Sequence, residues 1–374
     1  MATTVSTPAV AATLTATDDQ PFRSEQLVLC RDDETGLRAA IAIDDTTLGP
    51  ALGGVRYKRY ADDRAGIVEA QRLAAAMTLK NAAAGLPYGG GKSVILDRGA
   101  EPDRGALMAA FGRFVARLGG TYLPGVDMGT TTGDLAMMGA AGATVSCADD
   151  DPSPWTALGV RASILAAVRH VDGREDLDGV RVLVQGAGHV GAALARHVAG
   201  DGATVLVADV DHARARVLAD ELGGEAVPAD AVIGTRCDVY APCAVARVIS
   251  DETVDRLDCR IVAGAANDTL GDRAHADRLA ARGIVYVPDF VANAGGVVHI
   301  HALRVGWDEP RLRAAVEAIG GRVAGILADA DATEGTPLLA AEAVALARIA
   351  DARERRRAGA PGPAGGGSAG EAGA

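Results

Sequence analysis

From about residue 180 onward the chain repeats one pattern: a short apolar run, a turn, then a helical stretch. The runs RVLVQG, TVLVAD, CDVYAP, RIVAGAA and GIVYVPD are apolar nearly throughout, without the in–out alternation of a strand that faces water. Strands of that kind are covered on both faces. Separated by helices, they require a parallel sheet between two helical layers.

Inside this pattern Gly186-Ala187-Gly188-His189-Val190-Gly191 fits GxGxxG. With 47 glycines in 374 residues a lone match carries little, so its setting has to carry it. The match follows the strand RVLV and opens a helix running to Ala199. A second strand then ends in Asp209, 18 residues after Gly191. This is the spacing of a dinucleotide site. Gly186 allows a tight turn, Gly188 lets backbone approach a pyrophosphate, and Gly191 lets helix pack on strand. Asp209 would bind both ribose hydroxyls and repel a 2′-phosphate, which favours NAD over NADP. Asp211 is the alternative ribose partner, and a glycine-rich turn with no ligand is the competing reading.

Upstream the pattern differs. EQLVLC and LRAAIAI, joined by RDDETG, predict a hairpin. Residues 62–79 carry helical spacing, GKSVILD reads as a buried strand, and ALMAAFGRFVARLGG as an amphipathic helix stopped by glycines. The acidic, proline-bearing DDDPSPW from Asp149 is the natural crossing between two units. The expected organisation is α/β throughout. Residues 1–20 form a disordered tail, 21–150 a first α/β domain, 151–324 a Rossmann domain, and 358–374 a second disordered tail, with an active-site cleft between the domains. Helices from about Glu309 to Arg357 could pack on either domain, those of 325–357 back on the first.

Charge and cysteines exclude several classes. A formal net charge of -12 argues against nucleic-acid binding, which needs a clustered basic face. There is no run of about 18 apolar residues for a membrane span, and no basic segment followed by an apolar core for secretion. A cytoplasmic protein is therefore expected. The five cysteines, an odd number without CxxC spacing, indicate neither a disulfide framework nor a metal site.

Of the 37 basic side chains only three are lysines, Lys58, Lys80 and Lys92. An ammonium can lose its proton when buried, whereas a guanidinium stays charged. Lys80 and Lys92 flank the glycine-rich MTLKNAAAGLPYGGGKSVI, whose three glycines before Lys92 are expected to leave room for a substrate. One lysine could grip a carboxylate and the other act as a base. Asp127, in LPGVDMGTTTGD, is a candidate proton-transfer partner, and could equally be a turn or capping residue.

LGPALGGVRY, MTLKNAAAGLPYGGGKSVI, VDMGTT, VLVQGAGHVG, CDVYAPCA, GAAND and PDFVANAGG, in order from about Glu25 to residue 350, resemble the Glu/Leu/Phe/Val amino-acid dehydrogenase family, in particular its leucine, valine and phenylalanine branch. The resemblance implies an N-terminal substrate-binding domain and reversible, NAD-dependent oxidative deamination of an L-amino acid to a 2-oxo acid and ammonia. By the same resemblance, Lys80 binds the substrate carboxylate, Lys92 is the general base that activates water, and Asp127 assists proton transfer at the amino group. Asn267 and Asn293 position the substrate, and Gly53 and Gly54 let it approach the backbone. The cofactor lies along Gly186, Gly188, His189, Val190, Gly191, Asp209, Ala241, Pro242, Cys243 and Ala265, with Asn267 reaching the nicotinamide. Asp268 stands where the family commonly has a second Asn, and the aspartate lies in VDM rather than EDV.

The resemblance also implies the pocket. Leu52 stands where glutamate enzymes hold the substrate side chain with a lysine, which disfavours glutamate. Leu52, Val297 and Ile300 form an aliphatic wall that suits valine, leucine or isoleucine. Gly125 and the segments LPYGGGKSVI and PDFVANAGG look more like phenylalanine enzymes. The alternatives are thus a phenylalanine dehydrogenase, a hydroxy-acid oxidoreductase lacking its usual His/Arg motif here, or a non-catalytic NAD-binding homologue. Homo-oligomerisation is expected from the sheet edge the first domain must cover. His299 and His301, about 200° apart on a helix, are not expected to share a ligand. His189 is expected to be exposed, Cys243 not to be a nucleophile, and Arg353–Arg357 to be a solvated helix end.

Overall fold

The structure, a computed structural model, describes residues 23–99, 103–146 and 151–359. The stretches read as tails, apart from residues 358 and 359, lie outside the described residues, as do Cys147 and the first acids of the DDDPSPW crossing.

The N-terminal half runs β1 (Gln26–Asp32), β2 (Leu37–Asp45), β3 (Ala51–Lys58), α1 (Asp63–Ala83), β4 (Gly89–Leu96), α2 (Arg104–Ala116), β5 (Tyr122–Val126) and α3 (Thr132–Ala140). These strands form a five-stranded sheet in the order β1-β2-β4-β3-β5. β1 and β2 make the expected hairpin, closing through Gly36 at φ +72°. β4 pairs antiparallel with β2 and parallel with β3, and β3 is parallel to β5.

Then follow α4 (Ser153–Asp172), β6 (Arg181–Gln185), α5 (His189–Gly200), β7 (Thr204–Ala208), α6 (His212–Leu222), β8 (Glu225–Val227), β9 (Val239–Pro242), β10 (Ile261–Val262), α7 (His275–Ala281), β11 (Val285–Tyr286), α8 (Asp289–Ala292), α9 (Gly295–Val305), α10 (Glu309–Ala332) and α11 (Pro337–Arg357). The second sheet, β11-β10-β9-β6-β7-β8, is parallel throughout. Counted along the chain from β6, this is the doubly wound order 3-2-1-4-5-6, with its switch point between β6 and β9.

Three features depart from the sequence expectation. β3 and β5 are strands although they contain Gly-Gly and Pro-Gly, because pairing on both sides of β3 overrides local propensity. Directly after Pro152 begins α4, a helix buried along much of its length, which ends at Gly173 in the left-handed conformation. The third departure is the three glycines before Lys92, whose missing side chains leave no vacant room. A Cβ on Gly89 would stand 1.7 Å from the Asp45 carbonyl oxygen. On Gly90 it would stand 2.2 Å from the Thr78 nitrogen, and on Gly91 2.7 Å from the Tyr122 ring. Protein fills that space, and α1 therefore lies on β4 at backbone contact.

The C-terminal helices reach both halves. α10 packs along α4, and α11 lies on α1. Arg348 donates to the carbonyls of Ala82 (3.1 Å), Leu86 (2.8 Å) and Gly85 (2.9 Å) at the C-terminal end of α1. Arg353 pairs with Asp45, and Arg356 donates to the Thr46 carbonyl at 2.9 Å. The arginine cluster is thus not simply a solvated helix end: two of its members fasten α11 to the end of β2 and the residue that follows it.

Gly90→Ala is expected to lower stability by about 1–3 kcal/mol or more, because helix backbone rather than a movable side chain meets the added methyl. Denaturant unfolding checks this, and an unchanged midpoint would contradict the packing described.

Candidate active site

Lys92 is buried within β4, and its Nζ lies 2.7 Å from Asp127 Oδ2. Asp127 follows the end of β5, so the pair meets across the intervening strand β3. It can do so because Gly54 has no side chain: a Cβ there would stand 2.7 Å from Asp127 Cβ. At Gly53 a Cβ would lie 1.7 Å from the Gly91 carbonyl oxygen. The side-chain space at both glycines is therefore taken up by protein, which narrows the expectation that it is cleared for a substrate. Thr130 fixes the turn that carries Asp127, its Oγ1 accepting the Asp127 amide at 3.0 Å and donating to the Val55 carbonyl at 2.8 Å.

Lys80 sits in the last turn of α1, which continues four residues past the expected end. Its Nζ lies 3.4 Å from Asn267 Oδ1. Asn293, 3% exposed, donates from Nδ2 to Asn267 Oδ1 (2.9 Å) and to the Ala265 carbonyl (3.1 Å). Its Oδ1 is buried with no partner among the described residues, an acceptor held ready for a donor. Lys80, Lys92, Asp127, Asn267 and Asn293 thus converge from α1, β4, the turn after β5, the loop after β10 and the end of α8.

The ionisation of these groups follows from their surroundings. Burial pushes Lys80 down to about 8, opposed by the nearby Asp289 and reinforced by Lys92. Burial also draws Lys92 below the ordinary ammonium range, while Asp127 opposes and Arg56 reinforces the shift. For Asp127 burial acts upward, but Lys92 and Arg56 outweigh it and hold the carboxyl below its usual range. An ammonium that gives up its proton easily, beside a firmly ionised carboxylate, is suited to proton transfer.

The GxGxxG turn lies at the switch point of the parallel sheet. Gly186 has φ +103°, and a Cβ on Gly191 would meet the Gly186 carbonyl oxygen at 1.8 Å, whereas at Gly188 it would meet nothing within 4 Å. These are a turn residue, a packing residue and an open approach. α5 starts at Gly188 with no side chain capping its first amides, which leaves donors and the positive end of the helix for an anion. Asp209 accepts the Ala187 amide at 2.7 Å and the Asp211 amide at 2.9 Å, with Arg214 at 3.9 Å. The glycine turn and the acid are therefore one unit, and the residues present fit a dinucleotide. His189 is exposed and Val190 half-buried. Ala241 and Pro242 end β9, next to Cys243, whose thiol burial pushes up to about 12, unlike a nucleophile's.

Of the residues expected to line the pocket, Leu52 and Val297 belong to one apolar cluster, with Ile300 packed against it. Gly125 lies two residues beyond Leu123 of that cluster, and a Cβ on it would stand 2.9 Å from Ser146 Oγ. His301 binds the Tyr88 hydroxyl through Nδ1 at 2.9 Å, while His299 stacks on Trp155, so the two histidines turn to different partners. Sequence reading missed Ser146, Arg56 and Arg72. Arg72 pairs with Asp268 at 2.9 Å, linking α1 to the loop that holds Asn267. Asp268 has φ +53°, a conformation in which Asn and Asp are the common non-glycine residues.

A dinucleotide-type turn at the switch point, together with the cluster of two lysines, an aspartate and two asparagines, is the residue set of an amino-acid dehydrogenase. Comparison with known sequences agrees. The family described as Glu/Leu/Phe/Val dehydrogenase, dimerisation domain, matches residues 24–142, and Glutamate/Leucine/Phenylalanine/Valine dehydrogenase matches residues 209–357. Leucine dehydrogenase of Thermoactinomyces intermedius is 40% identical over 346 residues, covering 90% of this chain and 94% of that protein. Valine dehydrogenase of Streptomyces albus is 39% identical, covering 89% and 94%. L-tryptophan dehydrogenase from Nostoc punctiforme superposes with a TM-score of 0.78 at 34% identity, covering 89% of this chain and 97% of that one. The chain belongs to the Glu/Leu/Phe/Val dehydrogenase family and is an oxidoreductase that uses a nicotinamide cofactor. Among the described residues no helix is long and apolar enough to cross a membrane.

Asp268→Ala is expected to cost about 1–2 kcal/mol, from the left-handed backbone and the lost ion pair. Asp268→Asn, which tolerates that backbone, is expected to cost under about 1 kcal/mol. Thermal unfolding of both variants checks this, and equal losses would contradict it.

Proposed function

We propose that the chain catalyses reversible, NAD-dependent oxidative deamination of a branched-chain L-amino acid (valine, leucine or isoleucine) to its 2-oxo acid and ammonia. The observation that carries this is the buried Lys92–Asp127 contact of 2.7 Å, with Lys80 facing Asn267 beside it. Lys80 binds the substrate carboxylate. Asn267 and Asn293 orient the substrate, and the unpartnered Asn293 Oδ1 accepts a hydrogen bond from its amino group. Asp127 assists proton transfer at the amino group, and Lys92 in its neutral form draws a proton from the water that adds to the imino carbon. When bound, the nicotinamide accepts the hydride from Cα. Gly188, the open end of α5 and Asp209 hold the dinucleotide, and Asp209 selects NAD. Leu52, Val297 and Ile300 face the substrate side chain, with Gly125 at the pocket's edge.

The likeness to leucine and valine dehydrogenases supports the aliphatic assignment, while the tryptophan dehydrogenase likeness favours an aromatic substrate as the second reading. A domain division near residue 150 belongs to the same reading; the expected boundary at 324 is corrected, because it falls inside α10 (Glu309–Ala332), which packs along α4, and it is α11 (Pro337–Arg357) that returns to α1. Homo-oligomerisation through the first domain is supported by its match to a dimerisation domain and by Leu29, 62% exposed on the edge strand β1. Cytoplasmic location belongs to the same proposal.

Cofactor reduction at 340 nm with Val, Leu, Ile, Phe, Tyr, Trp and Glu, using NAD or NADP, tests the reading. The aliphatic substrates with NAD are expected to turn over fastest, and Lys92→Ala to lose about 10²–10⁴-fold in kcat. Preferential turnover of an aromatic substrate would overturn the assignment of the pocket, and none with any substrate would overturn the activity.

A second prediction concerns Lys80. With its pKa lowered to about 8 in the free enzyme, it is largely neutral at about pH 9, and a bound carboxylate favours its charged form. Binding of the 2-oxo acid at that pH is therefore expected to take up protons, and KM to rise with pH above about 8. Calorimetry in two buffers of different ionisation enthalpy measures the uptake, and a buffer-independent heat would contradict the role given to Lys80.

A further inference from the structure

Arg56, near the end of β3, is a half-buried guanidinium whose fork spans two carboxylates from different elements. Its Nε donates to Asp127 Oδ2 at 3.0 Å, its Nη2 lies 3.5 Å from Asp127 Oδ1, and its Nη1 pairs with Glu69 of α1. The oxygen that receives Nε is the one 2.7 Å from Lys92 Nζ. Glu69, Arg56, Asp127 and Lys92 therefore form a line of alternating charge, each member at most one-fifth exposed.

A buried lysine–aspartate pair standing alone would be a poor base, because the whole charge of the carboxylate would stabilise the ammonium. Here Arg56 draws on the same oxygen and takes up part of that charge. Glu69 in turn limits how much of the guanidinium's charge falls on Asp127. The two-pronged contact with Asp127 also fixes the carboxylate's orientation, which a single contact with a flexible lysine would not.

We propose that Arg56 is a positioning residue for the deamination reaction: it aims the Asp127 carboxylate at Lys92 and shares its negative charge, so that Lys92 can surrender its proton without losing its partner. This rests on the reading of Lys92 and Asp127 as the proton-transferring pair. The other charged or titratable groups facing that pair are Lys80 and Glu69 of α1, Asp268 after β10 and Tyr122 of β5, with Tyr60 and Lys58 (Nζ 4.0 Å away) beside Glu69. All of them stay in place when Arg56 alone is changed.

The test is the pH profile of kcat and kcat/KM, with NAD and the best amino acid, for Arg56→Gln, Arg56→Lys, Glu69→Gln and Lys92→Ala. Arg56→Gln is expected to lower kcat about 10- to 100-fold, with the amino-acid KM little changed. It should also move the acidic limb of the profile to higher pH by about one unit, because Asp127 then stabilises the Lys92 ammonium alone. Arg56→Lys restores the charge without the fork and is expected to return the limb toward wild type with only part of kcat recovered. Glu69→Gln, which leaves Arg56 undivided on Asp127, should move the limb the other way, and it is the variant to read if Arg56→Gln does not fold. A limb unmoved in the folded variants, whatever the loss of rate, would overturn the proposal and leave Arg56 a structural residue. Wild-type rates in Lys92→Ala would instead remove the underlying reading, whereas an inactive Lys92→Ala beside an unmoved limb removes the Arg56 proposal alone.

Discussion

The Cβ that Gly90 lacks would stand 2.2 Å from the Thr78 nitrogen, so helix α1 can touch strand β4 only where that atom is missing. Much of the site follows from this approach. α1 carries Glu69, Arg72 and Lys80, and β4 carries Lys92; backbone contact between the two elements brings the lysines into one region. Asn81 of the same helix donates to the Gly89 carbonyl at 2.7 Å, fixing the helix end against the strand. Glycine is needed there for proximity, not for flexibility.

Proximity of this kind carries an electrostatic cost. Two lysines, an arginine and two carboxylates share a partly buried region, and each would be expensive if unpaired. Alternation along Glu69, Arg56, Asp127 and Lys92 pairs each of these four charges, with Arg56 and Lys92 sharing Asp127. Lys80 has Asn267 as its direct partner, with Asp289 and Asp268 as more distant charges. An ammonium without a carboxylate in contact is the member of the group best placed to take an incoming one. The same sheet geometry therefore separates one lysine committed to an internal partner from another that is available.

How far sequence alone reaches depends on which physical signal a residue leaves. Strands β6, β7 and β9 were legible because burial on both faces writes itself as an unbroken apolar run. The glycine turn was legible because strand, GxGxxG, helix and Asp209 occur in order. β3 and β5 were not, since ALGGVRYK and YLPGV contradict strand propensity locally and are stabilised only by partners far along the chain. The glycine run before Lys92 was located but misread: absence of a side chain marks close approach, and nothing local says whether protein or ligand does the approaching. Arg56 left no mark among so many arginines, because its significance arises from a contact 71 residues away, across the β3–β5 pairing.

Asp268 illustrates the reverse case, a local departure whose reason is tertiary. The family commonly has asparagine at this position, and a left-handed residue there accounts for either side chain equally well. Aspartate adds a charge, and the structure supplies its partner in Arg72 of α1. Next to it, Asn267 is the residue that Lys80 reaches from that same helix. Two consecutive residues of one loop thus hold two residues of one helix, tying the loop after β10 to α1. Any movement that separates this loop from the helix must break both contacts. The ion pair, about one-third exposed on each side, is of the weak, solvent-screened kind. Such a link specifies how loop and helix meet without locking them together.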